Sequence, residues 1–141
     1  MLTLSAASRI ISGVFEKGAE LGLKPLTVVV LDAAGIPRAM LSQDGSSALR
    51  HKIAHGKAFG AVGLGIGSRA IFKRAQEQPF FIDAVATAAG GALIPVPGGV
   101  LIRASDGSLL GAVGVTGDTS DNDEEAAIFG IEQAGFLADA G

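Results

Sequence analysis

The sequence predicts an α+β fold in which a central antiparallel sheet is flanked by helices. Two β-hairpin patterns lie far apart in the 141-residue chain, one over residues 26–43 and one over residues 100–115. Segments with helical spacing of apolar residues precede the first pattern, fill the interval between the two and follow the second. Hairpins accompanied by grouped helices indicate an antiparallel sheet, because parallel sheets alternate single strands with helices. The length fits a single domain, residues 1–141.

The N-terminal part of the chain predicts a helix followed by a β-hairpin. Apolar residues recur at helical spacing near the start, with Thr3 or Ser5 as the N-cap and Gly22 as the stop. The apolar, β-branched run LTVVVLD (residues 26–32) is too short for an independent helix and predicts a buried strand. The turn AAGIP and the segment RAMLSQ (residues 38–43) predict its antiparallel partner.

Two or three helices are predicted between the hairpins. The first runs over residues 48–64 behind a serine cap, and the second follows Ser68 over residues 69–77. A third has Pro79 near its first turn and glycines at its end, which is the order typical of a helix. The apolar face of the first of these helices is predicted to consist of Leu49, Ile53, Ala58 or Phe59, and Val62.

The C-terminal part predicts a second hairpin and a last helix. Residues 100–104 and 109–115 form the two strands around the turn SDGS. Asp121 stands three residues before Glu124, an arrangement that predicts a capping box at the start of the last helix. The apolar face of this helix is predicted to carry Ala127, Ile131, Ala134 and Leu137.

The composition excludes several classes of function. There is no cysteine, which removes disulfides, thiolate metal sites and cysteine nucleophiles. The net charge is −3 and the only aromatic residues are seven phenylalanines, so we expect no binding to nucleic acid. The N-terminus lacks the basic start and apolar run of a signal peptide, and no segment is long enough to span a membrane. We therefore expect a soluble, cytoplasmic protein.

The low charge content points to self-association. Charged residues make up 18% of the chain, whereas soluble domains average about 25%. A small chain with so few charges has apolar surface to cover beyond its own core, and the usual way to cover it is to form a homo-oligomer.

Several stretches together resemble a known family. They are VVVLDAAG, IAHGKAFGA, LIPVPGGVLIR, DGSLLGAVGVTGD and the NDEEAA start of the last helix, and the most specific are PVPGG (residues 95–99) and GAVGV (residues 111–115). The pattern resembles the GlcG/HbpS-like haem-binding, haem-degrading family, which includes the C-terminal domain of PduO-type proteins. The resemblance covers nearly the whole chain. It implies a profilin-like fold with a five-stranded antiparallel sheet, and it implies oligomers.

Haem is accordingly the cofactor that the sequence suggests. Haem binding needs an apolar slot, an axial donor and cations for the propionates. In a chain without cysteine or tyrosine, the remaining conventional donors are His51, His55, Met1 and Met40. The two histidines are four residues apart, so a helix places both imidazoles on one face. The alternative hypothesis is that they are solvated or interface residues without a ligand. The neighbouring cations are Arg50, Lys52 and Lys57.

Protein-bound metal catalysis and nucleotide binding are not predicted. The segment HKIAH has the histidine spacing of a metalloprotease helix, but Lys52 stands where the catalytic glutamate is required. The acidic run after Thr119 lacks the glycine that an EF-hand turn needs. The chain has no GK[ST] phosphate-binding loop and no G-x-S-x-G nucleophile elbow.

The second hypothesis is an enzyme that acts on a small carboxylate metabolite. In this hypothesis the PVPGG loop offers backbone N–H groups, a basic residue clamps the carboxylate, and polar groups near the VTGD strand end supply acid–base chemistry. The structural alternative is that the loop is a rigid strand entry and that Asp118 caps the last helix. A third hypothesis is an accessory subunit without chemistry of its own. Whether the chain is an enzyme stays open at this point. The residues that the second hypothesis uses are Lys57, Gly98, Gly99, Arg103, Thr116 and Asp118.

Overall fold

The computed structural model describes residues 1–141 and contains one five-stranded antiparallel sheet with five helices. The helices are α1 (Leu4–Leu21), α2 (Arg50–Leu64), α3 (Ser68–Glu77), α4 (Pro79–Ala88) and α5 (Ser120–Gln133). The strands are β1 (Thr27–Asp32), β2 (Pro37–Ser42), β3 (Gly99–Arg103), β4 (Leu109–Thr116) and β5 (Leu137–Asp139). Their order in the sheet is β2-β1-β4-β3-β5, and every neighbouring pair is antiparallel. The α+β fold class is therefore confirmed.

Helices cover both faces of the sheet, and the alternation of side chains along the strands separates two cores. In β1, Val28 and Val30 pack towards α1 and α5, in a cluster of 16 buried residues. Val29 and Leu31 point to the opposite face and join a cluster of 7 buried residues with α2. Successive strand residues face opposite sides, so a strand covered on both sides carries an unbroken apolar run, as β1 does over residues 28–31.

The buried face of α2 differs from the predicted one. Of the predicted residues only Ala58 is fully buried, whereas Leu49 is exposed and Ile53, Phe59 and Val62 are half-buried. The helix lies so close to the sheet that a Cβ on Gly114 would overlap the carbonyl oxygen of Ala54. Such an approach selects small side chains, which hydrophobic periodicity does not detect. The residues of α2 that are buried are Ala54, Gly56, Lys57, Ala58, Gly60 and Ala61.

The predicted ends of the first and fourth helices are confirmed. Thr3 caps α1, because its hydroxyl accepts the N–H of Ala6 at 3.0 Å. Gly22 ends α1 in the left-handed conformation at φ 65°, which is strained for residues with a Cβ. Pro79 stands at the start of α4. None of the five helices combines the length and the hydropathy needed to cross a membrane.

The prediction for the last helix was wrong at both ends. The N-cap is Thr119, whose hydroxyl accepts a backbone N–H of the first turn, so Asp121 and Glu124 form no capping box. The helix ends at Gln133, and Leu137 lies in the fifth strand instead of on a helix face. A three-residue strand is too short to show an alternating pattern, and its pairing with β3 defines it.

Candidate functional site

A groove of about 680 Å³ lies on the exposed face of the first half of α2. Its volume falls within the range of about 300–1,000 Å³ that is typical of small-ligand sites. Five of its ten lining residues are hydrophobic, so an apolar ligand has surface to contact. The lining residues are Met40, Leu49, His51, Lys52, Ile53, His55, Gly90, Gly91, Ala92 and Ile94.

Both histidines line this groove. The helical spacing predicted from the sequence is therefore observed, with His51 exposed and His55 half-buried. The ring of His55 stacks on Phe59 one turn later, with ring centroids 5.3 Å apart and an angle of 21° between the planes. This contact restricts the orientation of the imidazole.

The two imidazoles of the groove suit an iron that is already held by a macrocycle. The chain has no cluster of three or more His, Cys, Asp or Glu side chains placed to hold a metal ion. Haem needs from the protein only one or two axial donors and an apolar surface for the ring. Two imidazoles in a half-apolar groove meet that requirement. Met1 is a different case, because it is fully exposed and does not line the groove.

Lys57 does not face the groove but forms a buried ion pair with Asp123 of α5. Its Nζ lies 3.1 Å from the Asp123 Oδ2 atom and donates a hydrogen bond to the carbonyl of Val115 at 2.9 Å. The two side chains are only 2% and 1% exposed. Burial lowers the pKa of Lys57 and raises the pKa of Asp123, while the attraction between the two charges opposes both shifts. Lys57 therefore offers no exposed ammonium to a ligand.

The ion pair was missed in the sequence, although a signal for it exists. Lys57 stands between Gly56 and Ala58 on the small-residue face that packs on the sheet. A lysine on the buried face of a helix requires a partner, because an unpaired buried charge is strongly unfavourable. Which acid supplies the partner depends on the tertiary fold.

Gly98, Gly99 and Thr116 lie around the same buried pair. A Cβ on Gly98 would come within 2.9 Å of the Lys57 Nζ atom, and the N–H of Gly99 donates to a buried serine hydroxyl at 2.7 Å. Thr116 accepts a hydrogen bond from the Arg50 guanidinium at 2.8 Å. Each of these residues contacts another part of the same chain, so the PVPGG loop is part of the packing between α2 and the sheet.

Arg103 lies at the opposite end of β3 from Gly99. Its Nε is 2.9 Å from the Asp139 Oδ2 atom, and its Nη1 donates to the carbonyl of Gly107 at 3.2 Å. The seven residues predicted for a binding site thus occupy three places: the groove, the surroundings of the buried pair and the far end of the sheet.

Asp118 supports the loop before α5. Its carboxylate accepts hydrogen bonds from the side-chain amide of Asn122 and from the backbone N–H groups of Lys24 and Thr119, and these hydrogen bonds lower its pKa to about 2. A carboxyl group with this pKa is ionised near neutral pH and is a poor general acid or base there. The cap of the last helix is Thr119, so Asp118 precedes the cap instead of forming it.

The fold and the groove define a class: a helix–sheet–helix α+β protein with an open, half-apolar groove that carries two imidazoles. The chain belongs to the HbpS-like family, described as haem-degrading protein HbpS-like, because the sequence model of that family matches residues 2–132. The resemblance stated from the sequence motifs is therefore confirmed. No curated protein matches the chain by sequence.

Solved structures with similar folds agree with this assignment. HbpS from Streptomyces reticuli, solved as a double mutant, has 27% identity and a TM-score of 0.81 over 95% of this chain and 87% of that chain. PduOC in complex with haem has 20% identity and a TM-score of 0.85 over 96% of both chains. Klebsiella pneumoniae protein ORFY, of family DUF336, has 24% identity and a TM-score of 0.83 over 94% of this chain and 89% of that chain. The last two, at such identities, show the fold alone.

Proposed function

We propose that this protein binds haem or a related tetrapyrrole in the groove on α2, as a homo-oligomer. The observation that carries the proposal is the presentation of His51 and His55 together in a half-apolar groove of about 680 Å³. Membership of a family described as haem-degrading supports the ligand class, and we extend the proposal to oxidative breakdown of the bound haem. When bound, haem would supply the redox-active iron.

The residues of the groove have distinct roles in this proposal. His55, oriented by its stacking on Phe59, would be the preferred donor to the haem iron, and His51, one turn earlier, would be the alternative. Lys52 lies between them on the same helix, is exposed and lines the groove, so its ammonium is available to a propionate. The apolar side chains of Met40, Leu49, Ile53 and Ile94 line the groove and would offer the ring its apolar surface.

The carboxylate-enzyme hypothesis has less support. Its two basic clamps, Lys57 and Arg103, are already ion-paired with Asp123 and Asp139. Neither lines the groove, and no observation favours a second function over haem binding.

Haemin titration tests the proposal. Wild type should give a saturable Soret band. The double substitution His51→Ala/His55→Ala should weaken binding by about tenfold or more, a loss of about 1.4 kcal/mol. Added imidazole should restore the ligand-field spectrum of the double variant, because it replaces the missing donor without repairing the fold. Lys52→Ala, on the same helix face, is the matched control: it should lower affinity but leave the axial spectrum unchanged.

Two results would contradict the proposal. Equal haemin affinity in wild type and the double variant would place the haem elsewhere on the molecule. Absence of saturable uptake by wild type would remove haem as the ligand. Breakdown is measured separately, as loss of the Soret band of the complex in the presence of a reductant and oxygen.

A further inference from the structure

A second cavity, the α2–α4 cavity, lies beside the second half of α2 and is bordered by α4. Its volume is about 220 Å³, and it shares no lining residue with the groove that carries the histidines. Six of its eight lining residues are hydrophobic and the other two are glycines, so no polar or charged side chain lines it. The lining residues are Phe59, Gly60, Gly63, Leu64, Val85, Ala88, Ala89 and Leu93.

The cavity exists because α4 does not pack on α2. α4 packs on α3, and α3 in turn packs on α2, but α2 and α4 are not in direct contact. Helices that pack directly have axes about 8–10 Å apart, and a wider gap needs large side chains to fill it. The walls carry small ones instead. A Cβ on Gly63 of α2 would meet nothing within 4 Å, and Ala88 supplies only a methyl group from α4.

The chemistry of the walls determines which ligand fits. A stable water needs two to four polar partners, and this cavity has no polar side chain to offer. A charged or strongly polar ligand would lose its hydration without gaining a partner. The walls therefore suit a neutral, apolar molecule. An apolar cavity of about 150 Å³ binds benzene, so the 220 Å³ of the α2–α4 cavity has room for one aromatic ring with a few additional atoms.

Phe59 favours an aromatic molecule over an aliphatic one. It is the only aromatic residue in the lining, and aromatic rings attract each other in offset and edge-to-face arrangements beyond the effect of buried area. Phe59 is also the ring that stacks on His55, with the ring centroids 5.3 Å apart. A molecule that holds the Phe59 ring therefore restricts the imidazole that is stacked on it.

We infer that the α2–α4 cavity binds a small, neutral aromatic molecule, and that this molecule orders His55 through Phe59. The cavity is separate from the histidine groove, so this binding does not depend on the proposed haem function. In the haem-free protein the ligand restricts the Phe59 ring and, through the stacking contact, the imidazole of His55. His51, one turn earlier, has no stacked aromatic partner and is not affected.

Titration of the haem-free protein with benzene tests the site, with the methyl NMR signals of Val85 and Leu93 as the readout. These signals should shift in a saturable way in wild type. Ala88→Leu and Gly63→Leu fill the cavity from different helices, and each should weaken benzene binding about tenfold or more. Ala84→Leu is the matched control on α4, because Ala84 is exposed and does not line the cavity. No saturable shift in wild type, or unchanged affinity in both filled variants, would overturn the site.

Comparison of benzene with cyclohexane tests the aromatic contact. The ratio of benzene affinity to cyclohexane affinity should fall about two- to tenfold in Phe59→Leu, because an aliphatic side chain gives up the attraction between rings. Leu64→Met exchanges one flexible apolar side chain of the same lining for another and should leave the ratio unchanged. A ratio that is the same in wild type and Phe59→Leu would refute the preference for an aromatic ligand.

The imidazole NMR signals measure the link to the groove, and the chain has only two histidines to distinguish. Benzene should shift the ring signals of His55 and leave those of His51 in place, and the His55 shift should disappear in Phe59→Leu. Equal shifts of both histidines, or none at His55 while benzene binds, would show that the link through Phe59 is wrong. Failure of haemin uptake would leave all of these results unchanged, and failure of benzene binding would leave the haem proposal standing.

Discussion

Lys57→Met removes one half of the buried ion pair while it keeps a side chain of similar length. The carboxylate of Asp123 is then buried without its counter-charge, and the carbonyl of Val115 loses its donor. Removing one partner of a buried pair costs about 3–5 kcal/mol of unfolding free energy. In a domain of this size 1 kcal/mol corresponds to about 2–4 °C in Tm, so we expect the Tm to fall by about 6–20 °C.

Arg38→Met is the matched control, because it also replaces a cation by methionine and also breaks an ion pair. The two pairs have similar lengths, 2.9 Å for Arg38–Asp32 and 3.1 Å for Lys57–Asp123. They differ in burial, since the Arg38 side chain is 52% exposed. A surface pair contributes less than about 1 kcal/mol, so the difference between the two variants measures the effect of burial.

Thermal and urea unfolding of both variants at pH 7 provide the assay. A second substitution, Asp123→Asn in the Lys57→Met background, removes the orphaned charge and should restore part of the lost stability. If Lys57→Met costs no more than Arg38→Met, the ion pair is not the buried contact described above. If the double variant is less stable than Lys57→Met, the orphaned carboxylate is not the cause of the loss.

Two further predictions concern glycine packing and pH. Gly60→Ala should lower the unfolding free energy by about 1–3 kcal/mol, because its Cβ would lie 2.9 Å from the Leu93 side chain. Gly63→Ala is the control on the same helix, because a Cβ there has nothing within 4 Å, and it should raise the unfolding free energy by up to about 1 kcal/mol. Equal effects of the two substitutions in urea unfolding would contradict the packing of α2. The hydrogen bonds that hold the folded-state pKa of Asp118 at about 2, below its ordinary 3.8, stabilise the fold above about pH 4 and are lost as the pH falls towards 2. Asp118→Asn should therefore flatten the decline of the urea midpoint between pH 4 and 2, and an unchanged slope would refute this role.

Local signals in the sequence were sufficient for most of the fold. Residues 28–31 are apolar without a break because β1 is covered on both faces. Thr3 and Gly22 mark the ends of α1 through capping chemistry that acts within a few residues. The buried face of α2 was predicted incorrectly because helix–sheet contact there depends on small side chains, which carry little hydrophobic contrast. β5 was missed because three residues show no periodicity.

In the candidate site, too, features set by local sequence were predicted and features set by tertiary contacts were not. The joint position of His51 and His55 depends only on helix geometry, so their spacing was enough to predict that both share one face. That this face borders a groove is known only from the structure. The pairing of Lys57 with Asp123 joins residues 66 positions apart, and nothing local to either residue specifies it. The separation of Arg103 from Gly99 follows from the direction of β3, which the sequence predicted without showing what lay at each end.

The fold and the candidate site both depend on α2. One face of this helix packs on the sheet, and the opposite face presents the two histidines. Successive residues of a helix are about 100° apart, so Lys57 points about 200° away from His55, into the sheet while the imidazole faces solvent. The small-residue face and the buried ion pair fix the helix, and the fixed helix holds the histidines at a defined position over β2. Substitutions on the inner face should therefore change the free energy of unfolding, and those on the outer face should change ligand affinity.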